Sequence, residues 1–493
     1  MKASKIFLGV VGLTTLLRLL VIGWSGPAFE EAYYWNYAQH PQLSYFDHPP
    51  MVAWLIGVST RLGTDHAFFI RLPAVLLFVG SSWVAYRLAL ATLGQKEADG
   101  TVILMACVPA FTLYSLAMTP DPPLLFLWGL GLYLGWQMVE QRRPWLWLGI
   151  GLCTGLAMLS KYTGALLPFG IFAYLAQRRD WKLLFCPQMA LGAGLSWLVF
   201  SPVVIWNANN GWASFLFQGV ERYGQATSVA ERLGSWAFQA ILWSPFGLVA
   251  LVAALVWAWR RRENPGLLYL WWSCMPLLGL LSLVSLKRLV QINWPLPAYL
   301  PAAILVAAYW REGLEEGRHR GWVTATLLTT GFLSLIPYFG TLIPWAALNS
   351  IDTVHGWSEA AVRVDQERER HRASFVGGYG YEVASELAFH RRDPRHTLSR
   401  NLFCEIAKSY TFWQDVNDYR GQTGIIVAIP REPFDERLMT MYFDGYEKLE
   451  PLVVYRGGQP LREYALYVGH GYKGVTPGSQ LRPAGKGYVS SPE

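Results

Sequence analysis

Charged residues are scarce in this sequence. Asp, Glu, Lys and Arg make up 15% of its 493 residues, against about 25% in typical soluble domains, whereas 53% of the residues are hydrophobic. The hydrophobic residues form long blocks, which excludes an ordinary soluble protein and predicts several membrane-spanning helices. The net charge of +7 arises from Lys and Arg residues beside these blocks. That placement sets membrane orientation, and no nucleic-acid partner is expected.

Cysteines are few and no nucleotide-binding loop is evident. Four of the five cysteines lie in or beside hydrophobic segments, and only Cys404 falls in the polar C-terminal part. This distribution excludes a disulfide framework there and gives no CxxC-type metal site. The sequence has no GxxxxGK[ST] loop for nucleotide phosphates. It has no evident internal repeat, which weakens a transporter built from inverted repeats. No cofactor is expected, and no metal ligand is assigned.

The hydrophobic blocks predict a mainly α-helical transmembrane bundle of about 11 to 13 spans. Two blocks, 145–160 and 162–177, are shorter than the roughly 20 residues that cross a bilayer, so we expect tilted, re-entrant or broken helices there. The candidate spans are 6–24, 68–93, 100–118, 122–139, 145–160, 162–177, 184–206, 236–259, 266–286, 294–310 and 321–345.

The Lys and Arg residues predict the orientation of these spans. They are about twice as frequent at one set of span ends as at the other, which places the N-terminus in the cytoplasm. We expect the first hydrophobic run to be a retained signal anchor. An odd number of spans then puts the tail outside the cytoplasm. The predicted domains are a transmembrane domain, 1–350, with a first outer loop at 25–67, and a small α/β domain, 351–493, in which Gly and Pro separate strand-like pieces.

The first outer loop is dense in groups that perform acid–base chemistry. Between Phe29 and Pro50 it carries the carboxylates Glu30, Glu31 and Asp47 and two histidines, of which His48 stands directly before Pro-Pro. From these residues alone, an interfacial loop with solvated acids is an equally good interpretation. Further ionisable residues on the same predicted side of the membrane favour a functional site.

The aromatic residues of this loop predict its secondary structure. Phe29, Tyr33 and Tyr37 recur at i, i+4 and indicate a short helix. Because Tyr and Trp prefer the membrane–water boundary, we expect this helix on the outer bilayer surface, with its aromatic face towards the membrane and its acids towards a cavity. Pro-Pro at 49–50 predicts the start of a second short helix, because Pro is tolerated in a first turn.

Four charged residues farther along stand at predicted outer ends of spans. Asp121, in MTPDPPLL, is either functional or a helix N-cap. Lys161, in LAMLSKYTG, has no acidic residue near it in the sequence. A charge at that depth costs a few kcal/mol unless it faces a polar cavity or snorkels to the interface. Arg222 follows an outer loop rich in Trp and Asn, and Lys287 is either functional or a flanking anchor.

The segments EEAYYW and YFDHPPMVAWLI resemble the first extracytoplasmic loop of a bacterial family of membrane glycosyltransferases. This is the PMT_2, or dolichyl-phosphate-mannose mannosyltransferase-like, group with the GT-C fold, whose relatives include the aminoarabinose transferases that modify lipid A. The resemblance covers about 25–350 well and the tail loosely. The family motif begins Asp-Glu where this sequence has Glu30-Glu31, and the aminoarabinose enzymes have Lys where His48 stands.

The resemblance implies roles for individual residues, with no metal required if the cations neutralise the leaving group. It makes Glu30, Asp47 and Asp121 catalytic acids, assigns donor and phosphate binding to His48, Lys161, Arg222 and Lys287, and places Glu31, Tyr33, Tyr34 and Tyr45 in the substrate pocket.

Residue chemistry and resemblance lead to one functional hypothesis. Nucleotide sugars are not at hand outside the cytoplasm, so a donor there is a sugar linked to a lipid phosphate. Its cleavage needs a carboxylate, cations for the phosphate and a groove for the isoprenoid tail. The resemblance implies an inverting glycosyltransferase in the bacterial inner membrane, with a periplasmic C-terminal domain, that moves a monosaccharide from a polyprenyl-phosphate donor to lipid A or another envelope glycan. The alternatives are a protein O-mannosyltransferase-like enzyme and a transporter or flippase for a lipid-linked substrate.

Overall fold

The computed structural model describes residues 3–219, 227–340, 343, 349 and 352–475. Hydrophobic helices pack on one another up to Phe339, and a small mixed sheet with two flanking helices follows. The helices of the first part are α1 (Lys5–Val21), α2 (Phe29–Gln39), α3 (Met51–Leu62), α4 (Ala67–Thr92), α5 (Gln95–Cys107), α6 (Pro109–Leu116), α7 (Asp121–Gln141), α8 (Leu146–Ser160), α9 (Leu167–Gln177), α10 (Trp181–Leu184), α11 (Pro187–Asn209), α12 (Ala213–Gly219), α13 (Val229–Ala237), α14 (Gln239–Trp243), α15 (Pro245–Arg260), α16 (Pro265–Ser285), α17 (Leu296–Glu315) and α18 (Arg320–Phe339).

The predicted spans coincide with helices or with pairs of helices. Within the described residues, four stretches are long and apolar enough to cross a membrane: Ala67–Thr92, Trp181–Asn209, Pro265–Ser285 and Arg320–Phe339. The count rises to six if each of two bent helix pairs is one span. These assignments rest on length and composition, and the remaining helices of the bundle are shorter or less apolar.

Proline determines where several helices break. α5 and α6 meet at an angle of 64°, with Pro109 as the first residue of α6, and α15 begins at Pro245 after a bend of 98°. Proline has no backbone N–H and fits the first turn of a helix, so it starts the second member of each pair. Of the tilted, re-entrant or broken helices expected in the two short blocks, the structure shows a break in 162–177, where a 3₁₀ turn, Tyr162–Leu166, precedes α9.

α8 and α11 cross with their backbones in contact. A Cβ atom on Gly151 would lie 2.0 Å from the carbonyl oxygen of Gly192, which no side chain tolerates. Small residues at such a crossing let two membrane helices approach closely enough for extensive van der Waals contact. The end of α8, where Lys161 stands, is therefore fixed relative to α11.

The C-terminal part contains a six-stranded sheet of order β2-β1-β3-β6-β4, with β5 also paired to β6. β1 runs parallel to β2 and β3, whereas β6 is antiparallel to β3, β4 and β5. The elements are α19 (Trp357–His371), β1 (Phe375–Gly378), α20 (Tyr381–Arg391), β2 (Thr397–Leu398), α21 (Tyr410–Trp413), β3 (Gly424–Ala428), α22 (Arg437–Tyr442), β4 (Phe443–Lys448), β5 (Leu452–Arg456) and β6 (Gln459–Tyr472), with two 3₁₀ turns, Arg400–Phe403 and Val416–Tyr419.

One hydrophobic cluster joins the two parts of the molecule. Buried side chains of α2, α3 and α4 pack with Ala384 and Ala388 of α20 and with Tyr410 of α21. The C-terminal part thus packs on α2, α3 and α4 through α20 and α21. A mainly α-helical bundle followed by a small α/β region agrees with the predicted fold class, while the domain boundary at 350 stays a prediction.

Candidate active site

Helix α2 lies inside the protein. Its Phe29, Tyr33 and Tyr37 side chains are 3%, 1% and 0% exposed, although a stripe that faced lipid would lie on the protein surface. α20 packs against α2, as does α3. The expected membrane-facing aromatic stripe was therefore wrong, because the C-terminal part supplies protein partners that the local sequence pattern does not reveal.

Glu31, in the first turn of α2, is held by an arginine of α4. Arg71 Nε and Nη2 donate to its carboxylate at 2.9 and 2.7 Å, and the N–H groups of Ala28 and Met118 donate at 3.0 and 3.1 Å. Arg71 also donates to carbonyl oxygens of the α1–α2 connection. A bidentate pair with this many further donors is strong and rigid. Glu31 therefore anchors α2 to α4 and to the loop before α7.

Glu30, its neighbour, is exposed at the start of α2. Among the described residues, none donates a hydrogen bond to its carboxylate or forms an ion pair with it. Burial raises the pKa of Tyr34 well above its usual value, and the charges of Asp47, Glu30 and Asp121 raise it further. The three predicted catalytic acids therefore all act electrostatically on one buried phenol.

Asp47 is a buried carboxylate with two phenol donors. Tyr33 Oη donates to its Oδ1 at 3.0 Å, and Tyr37 Oη donates to the same oxygen. Lys408 Nζ lies 3.7 Å from its Oδ2. Burial opposes the charge of Asp47, but the positive charges of Lys408 and His48 and the two phenol hydrogen bonds outweigh it and lower the pKa. Asp47 is therefore ionised at neutral pH.

The other predicted pocket aromatics differ in position. The ring of Tyr34 meets the ring of His48 edge-on, with centroids 5.7 Å apart. Tyr45 stacks on Tyr37 at 3.8 Å and donates its hydroxyl to the Tyr37 carbonyl oxygen at 2.7 Å. Tyr34 therefore stands beside the predicted cation, whereas Tyr45 lies behind Tyr37 and holds it in place.

Lys161 has an acidic partner that its sequence neighbourhood does not reveal. It stands at the break after α8 with an extended backbone, and its Nζ donates to Asp121 Oδ1 at 2.8 Å. Asp121 Oδ2 accepts from Asn293 Nδ2 at 2.7 Å. The side chains of Lys161 and Asp121 are 9% and 2% exposed. Lys161 thus pairs with a buried acid and does not snorkel, and Asp121 is the first residue of α7, whose N-cap is Pro120.

Two further residues, Arg222 and Lys287, were predicted to bind phosphate. Arg222 falls outside the described residues. Lys287 follows α16 and is exposed, and within the described part of the chain no contact connects it with Asp47 or Asp121. Their predicted roles stay predictions.

Sequence reasoning missed three residues of the cluster: Arg71, Asn293 and Lys408. Arg71 entered the sequence analysis only among the Lys and Arg residues that predict orientation. An arginine at the start of a hydrophobic helix nevertheless indicates a nearby counter-charge. Asn293 lies in the connection before α17, and nothing in the neighbouring sequence marks it as a site residue. Lys408 belongs to the C-terminal part, and only the fold brings it to Asp47.

The side chains of the cluster combine acids, cations and aromatics. Glu30 and Asp47 supply carboxylates, Lys161 and Lys408 supply cations, and the aromatics of α2 form a wall. In the described ranges, no three His, Cys, Asp or Glu side chains are grouped as metal ligands. Carboxylates can orient or deprotonate an acceptor, and cations can stabilise a phosphate leaving group.

An apolar groove runs along α8. Its volume is about 340 Å³, and α8, α9 and α11 line it. Met158 lines it one helical turn before Lys161, and Phe169 and Trp197 lie at its exposed margin. Most of the side chains that line the groove are apolar.

Comparison with known proteins gives this arrangement a context. Residues 47–206 match the family model PMT_2, dolichyl-phosphate-mannose-protein mannosyltransferase. The lipid A galacturonosyltransferase RgtD of Rhizobium johnstonii is 25% identical over 356 residues, which are 67% of this chain and 70% of that protein. The undecaprenyl phosphate-α-4-amino-4-deoxy-L-arabinose arabinosyl transferase of Erwinia tasmaniensis is 25% identical over 64% of this chain. The match spans 59% of that enzyme, which is less than two thirds of its length.

Solved structures share the fold over nearly the whole chain. ArnT from Cupriavidus metallidurans bound to undecaprenyl phosphate matches with a TM-score of 0.66 and 16% identity, over 94% of this chain and 98% of ArnT. An oligosaccharyltransferase of Archaeoglobus fulgidus matches with a TM-score of 0.54 and 12% identity, over 85% of this chain and 68% of that one. The chain therefore has the fold of ArnT and is similar in sequence to membrane glycosyltransferases. This confirms the resemblance that EEAYYW and YFDHPP indicated, and it makes the acid and cation cluster the candidate active site of a glycosyltransferase.

Proposed function

We propose that this protein transfers a monosaccharide from a polyprenyl-phosphate donor to lipid A or another envelope glycan, on the periplasmic side of a bacterial inner membrane. The observation that carries the proposal is a pair of buried charge contacts, Lys161 with Asp121 and Lys408 with Asp47, whose acids both act on the same phenol, Tyr34. The names of the relatives support the substrate classes, since they transfer sugars to lipid A or use undecaprenyl-phosphate-linked aminoarabinose. The distribution of Lys and Arg along the chain supports the orientation.

The proposed chemistry is a single displacement with inversion. An acceptor oxygen attacks the anomeric carbon, the bond from that carbon to the phosphate oxygen breaks, and polyprenyl phosphate leaves with the electron pair. A hydroxyl acceptor gives its proton to a carboxylate, whereas a phosphate acceptor is already ionised and needs only orientation. Cations offset the negative charge that develops on the departing phosphate.

Glu30 is the best candidate for the carboxylate that meets the acceptor. Glu31 is committed to Arg71, and Asp121 is committed to Lys161 and Asn293. Asp47 accepts from two phenols. Glu30 is exposed beside these groups, and no described residue holds its oxygens. Glu30 is one methylene longer than the Asp of the family motif, and it stands in the first turn of α2.

The decisive experiment compares Glu30→Gln with the wild-type protein in purified membranes. Polyprenyl-phosphate sugars and lipid A serve as substrates, and mass spectrometry detects the product. We expect a loss of about 10²–10⁴-fold, as for removal of one acid–base group. Glu447→Gln, on the exposed strand β4, is the matched control and should be fully active. Full activity of Glu30→Gln would overturn the assignment of Glu30, and absence of sugar transfer by the wild-type protein with every donor would overturn the proposed function.

A further inference from the structure

The C-terminal part reaches into the candidate active site through one short turn. Residues 407–412 lie against α2 and the α2–α3 loop, where Ser409 N–H donates to Tyr33 Oη at 3.0 Å and Phe46 N–H donates to Ser409 Oγ at 3.2 Å. Gln42 Nε2 donates to the Phe412 carbonyl oxygen at 3.3 Å. Hydrogen bonds of Ser409 and Phe412 thus fasten the turn to the first outer loop.

Lys408 stands in this turn with a backbone that L-residues rarely adopt. Its φ is +49°, in the left-handed region, and the N–H of the preceding Ala407 is tied to Thr411 Oγ1 at 2.9 Å. Such conformations of bulky residues persist where the surroundings enforce them, and they concentrate at functional sites. The result is that the Lys408 side chain points at Asp47 and α2.

The Lys408 ammonium has donors to spare. Its Nζ lies 3.7 Å from Asp47 Oδ2, beyond hydrogen-bond distance, and 3.3 Å from the centroid of the Tyr381 ring. Within the described residues it forms no other ion pair. Its side chain is 31% exposed. An ammonium over an aromatic ring is held in place by attraction to the ring face, and an N–H group that faces neither the ring nor Asp47 stays available to an oxygen ligand.

The other well-placed cations of the cluster are already committed. Lys161 Nζ donates to Asp121 at 2.8 Å and its side chain is 9% exposed. Arg71 makes a bidentate pair with Glu31 and has its other N–H groups on carbonyl oxygens. Of these three cations, Lys408 alone combines exposure with a loose carboxylate partner.

We propose that the ammonium of Lys408 binds an anionic phosphate oxygen of a substrate, so that the C-terminal part completes the active site. The proposal rests on the proposed function and names a residue that binds substrate there. Asp47 and the Tyr381 ring orient the ammonium, and a phosphate oxygen takes its free donors. The phosphate belongs either to the polyprenyl-phosphate donor or to a phosphorylated acceptor, and the chemistry of the contact is the same in both cases.

The test measures binding and turnover separately. Undecaprenyl phosphate binding to wild-type protein and to Lys408→Met in lipid nanodiscs gives a Kd that needs no catalysis. Steady-state kinetics with lipid A and with dephosphorylated lipid A give KM for the acceptor. Lys408→Arg keeps the charge, and Lys448→Gln is the control, since Lys448 also pairs with a glutamate and lies near a tyrosine ring but belongs to the exposed strand β4.

Two outcomes support the proposal. If the phosphate is the donor's, Lys408→Met raises the Kd for undecaprenyl phosphate by about 10- to 100-fold, the loss expected for one charge-assisted hydrogen bond, and Lys408→Arg largely restores it. If the phosphate is the acceptor's, that Kd is unchanged, and KM rises for lipid A but not for its dephosphorylated form. Lys448→Gln changes neither value.

Two outcomes overturn it. Lys408→Met with wild-type Kd and KM shows that the ammonium meets no substrate. A fall in thermal stability with a uniform loss of binding, in Lys408→Met and Lys408→Arg alike, shows that Lys408 only fastens the turn to α2. Because the Kd for undecaprenyl phosphate is measured without turnover, a wild-type protein that binds this lipid but transfers no sugar refutes the proposed function and leaves the role of Lys408 standing.

Discussion

Lys161 and Asp121 form a buried ion pair that connects the end of α8 to the start of α7, with Nζ and Oδ1 2.8 Å apart. The residues are 40 positions apart in the chain. A buried pair of this kind costs desolvation, which the attraction between the charges and further hydrogen bonds must offset. Asn293 supplies such a bond to Asp121. The pair therefore holds α7 and α8 together at the site, in addition to placing two charged groups there.

Removing Lys161 should destabilise the protein as well as inactivate it. Lys161→Met leaves the Asp121 carboxylate buried without its counter-charge, at a cost of about 3–5 kcal/mol. Thermal unfolding in detergent measures this loss. In the double variant Lys161→Met/Asp121→Asn no charge is left unpaired, so stability should recover while sugar transfer stays absent. Recovery of transfer in the double variant would show that neither charge takes part in the reaction.

The Arg71–Glu31 pair should depend on the shape of the guanidinium group. Arg71→Lys keeps the charge but cannot reach both the Glu31 oxygens and the carbonyl oxygens of the α1–α2 connection. We expect a fall in melting temperature comparable to that of Glu31→Gln, since each change leaves buried polar groups unsatisfied. Arg61→Lys, at the exposed end of α3, is the control and should melt like the wild type. A wild-type melting temperature for Arg71→Lys would contradict the anchoring role of the pair.

Glu386 of α20 predicts a measurable dependence of stability on pH. It is fully buried, neither of its oxygens has a hydrogen-bond partner in the described structure, and burial raises its pKa well above the usual value. His390 Nε2 lies 3.5 Å away, but burial lowers the pKa of His390 to about 4, so this histidine is neutral at pH 7. His390 therefore supplies no positive charge that would favour the ionised form of Glu386.

The sign of the effect follows from proton binding. The unfolded chain loses the Glu386 proton near pH 4, while the folded chain retains it to higher pH, so stability falls as pH rises between the two pKa values. Glu386→Gln removes that fall and should be more stable than the wild type at pH 7 to 8, by about 1 kcal/mol or more. Melting temperatures of both proteins from pH 5 to 8 test this. Parallel curves would mean that Glu386 is ionised in the folded protein.

The groove along α8 should affect the donor and not the acceptor. Ala193→Trp on α11 fills part of its roughly 340 Å³. If an isoprenoid chain occupies the groove, KM for the polyprenyl-phosphate donor rises several-fold and KM for lipid A is unchanged. Leu198→Trp, on an exposed face of the same helix, is the control and should behave like the wild type. Unchanged donor kinetics in Ala193→Trp would place the chain elsewhere.

The sequence predicted the elements of this fold well because their signals are local. Hydrophobic blocks, a proline in the first turn and i, i+4 spacing each depend on a few neighbouring residues. The helix from Phe29, the second helix after Pro-Pro, the break after Lys161 and the strand-like pieces of the tail were all predicted and are present.

The contacts that define the site could not be predicted in the same way. Lys161 meets Asp121, Arg71 meets Glu31 and Lys408 meets Asp47 only after distant helices and the sheet have packed. The prediction that the aromatic face of α2 lies towards the membrane was wrong for the same reason. Its aromatic residues suit a membrane surface and a protein interior equally well, and the partner that decides between them, α20, lies far along the chain.

The backbone contact between Gly151 and Gly192 has a consequence for how substrates enter and leave. Two helices that touch main chain to main chain cannot slide or separate without losing their packing. The end of α8, where Lys161 stands, should therefore stay fixed relative to α11. The turn that carries Lys408 is held to α2 and the α2–α3 loop by hydrogen bonds of Ser409 and Phe412 and by the buried Tyr410. A movement that admits or releases a substrate should therefore occur elsewhere than between α8 and α11.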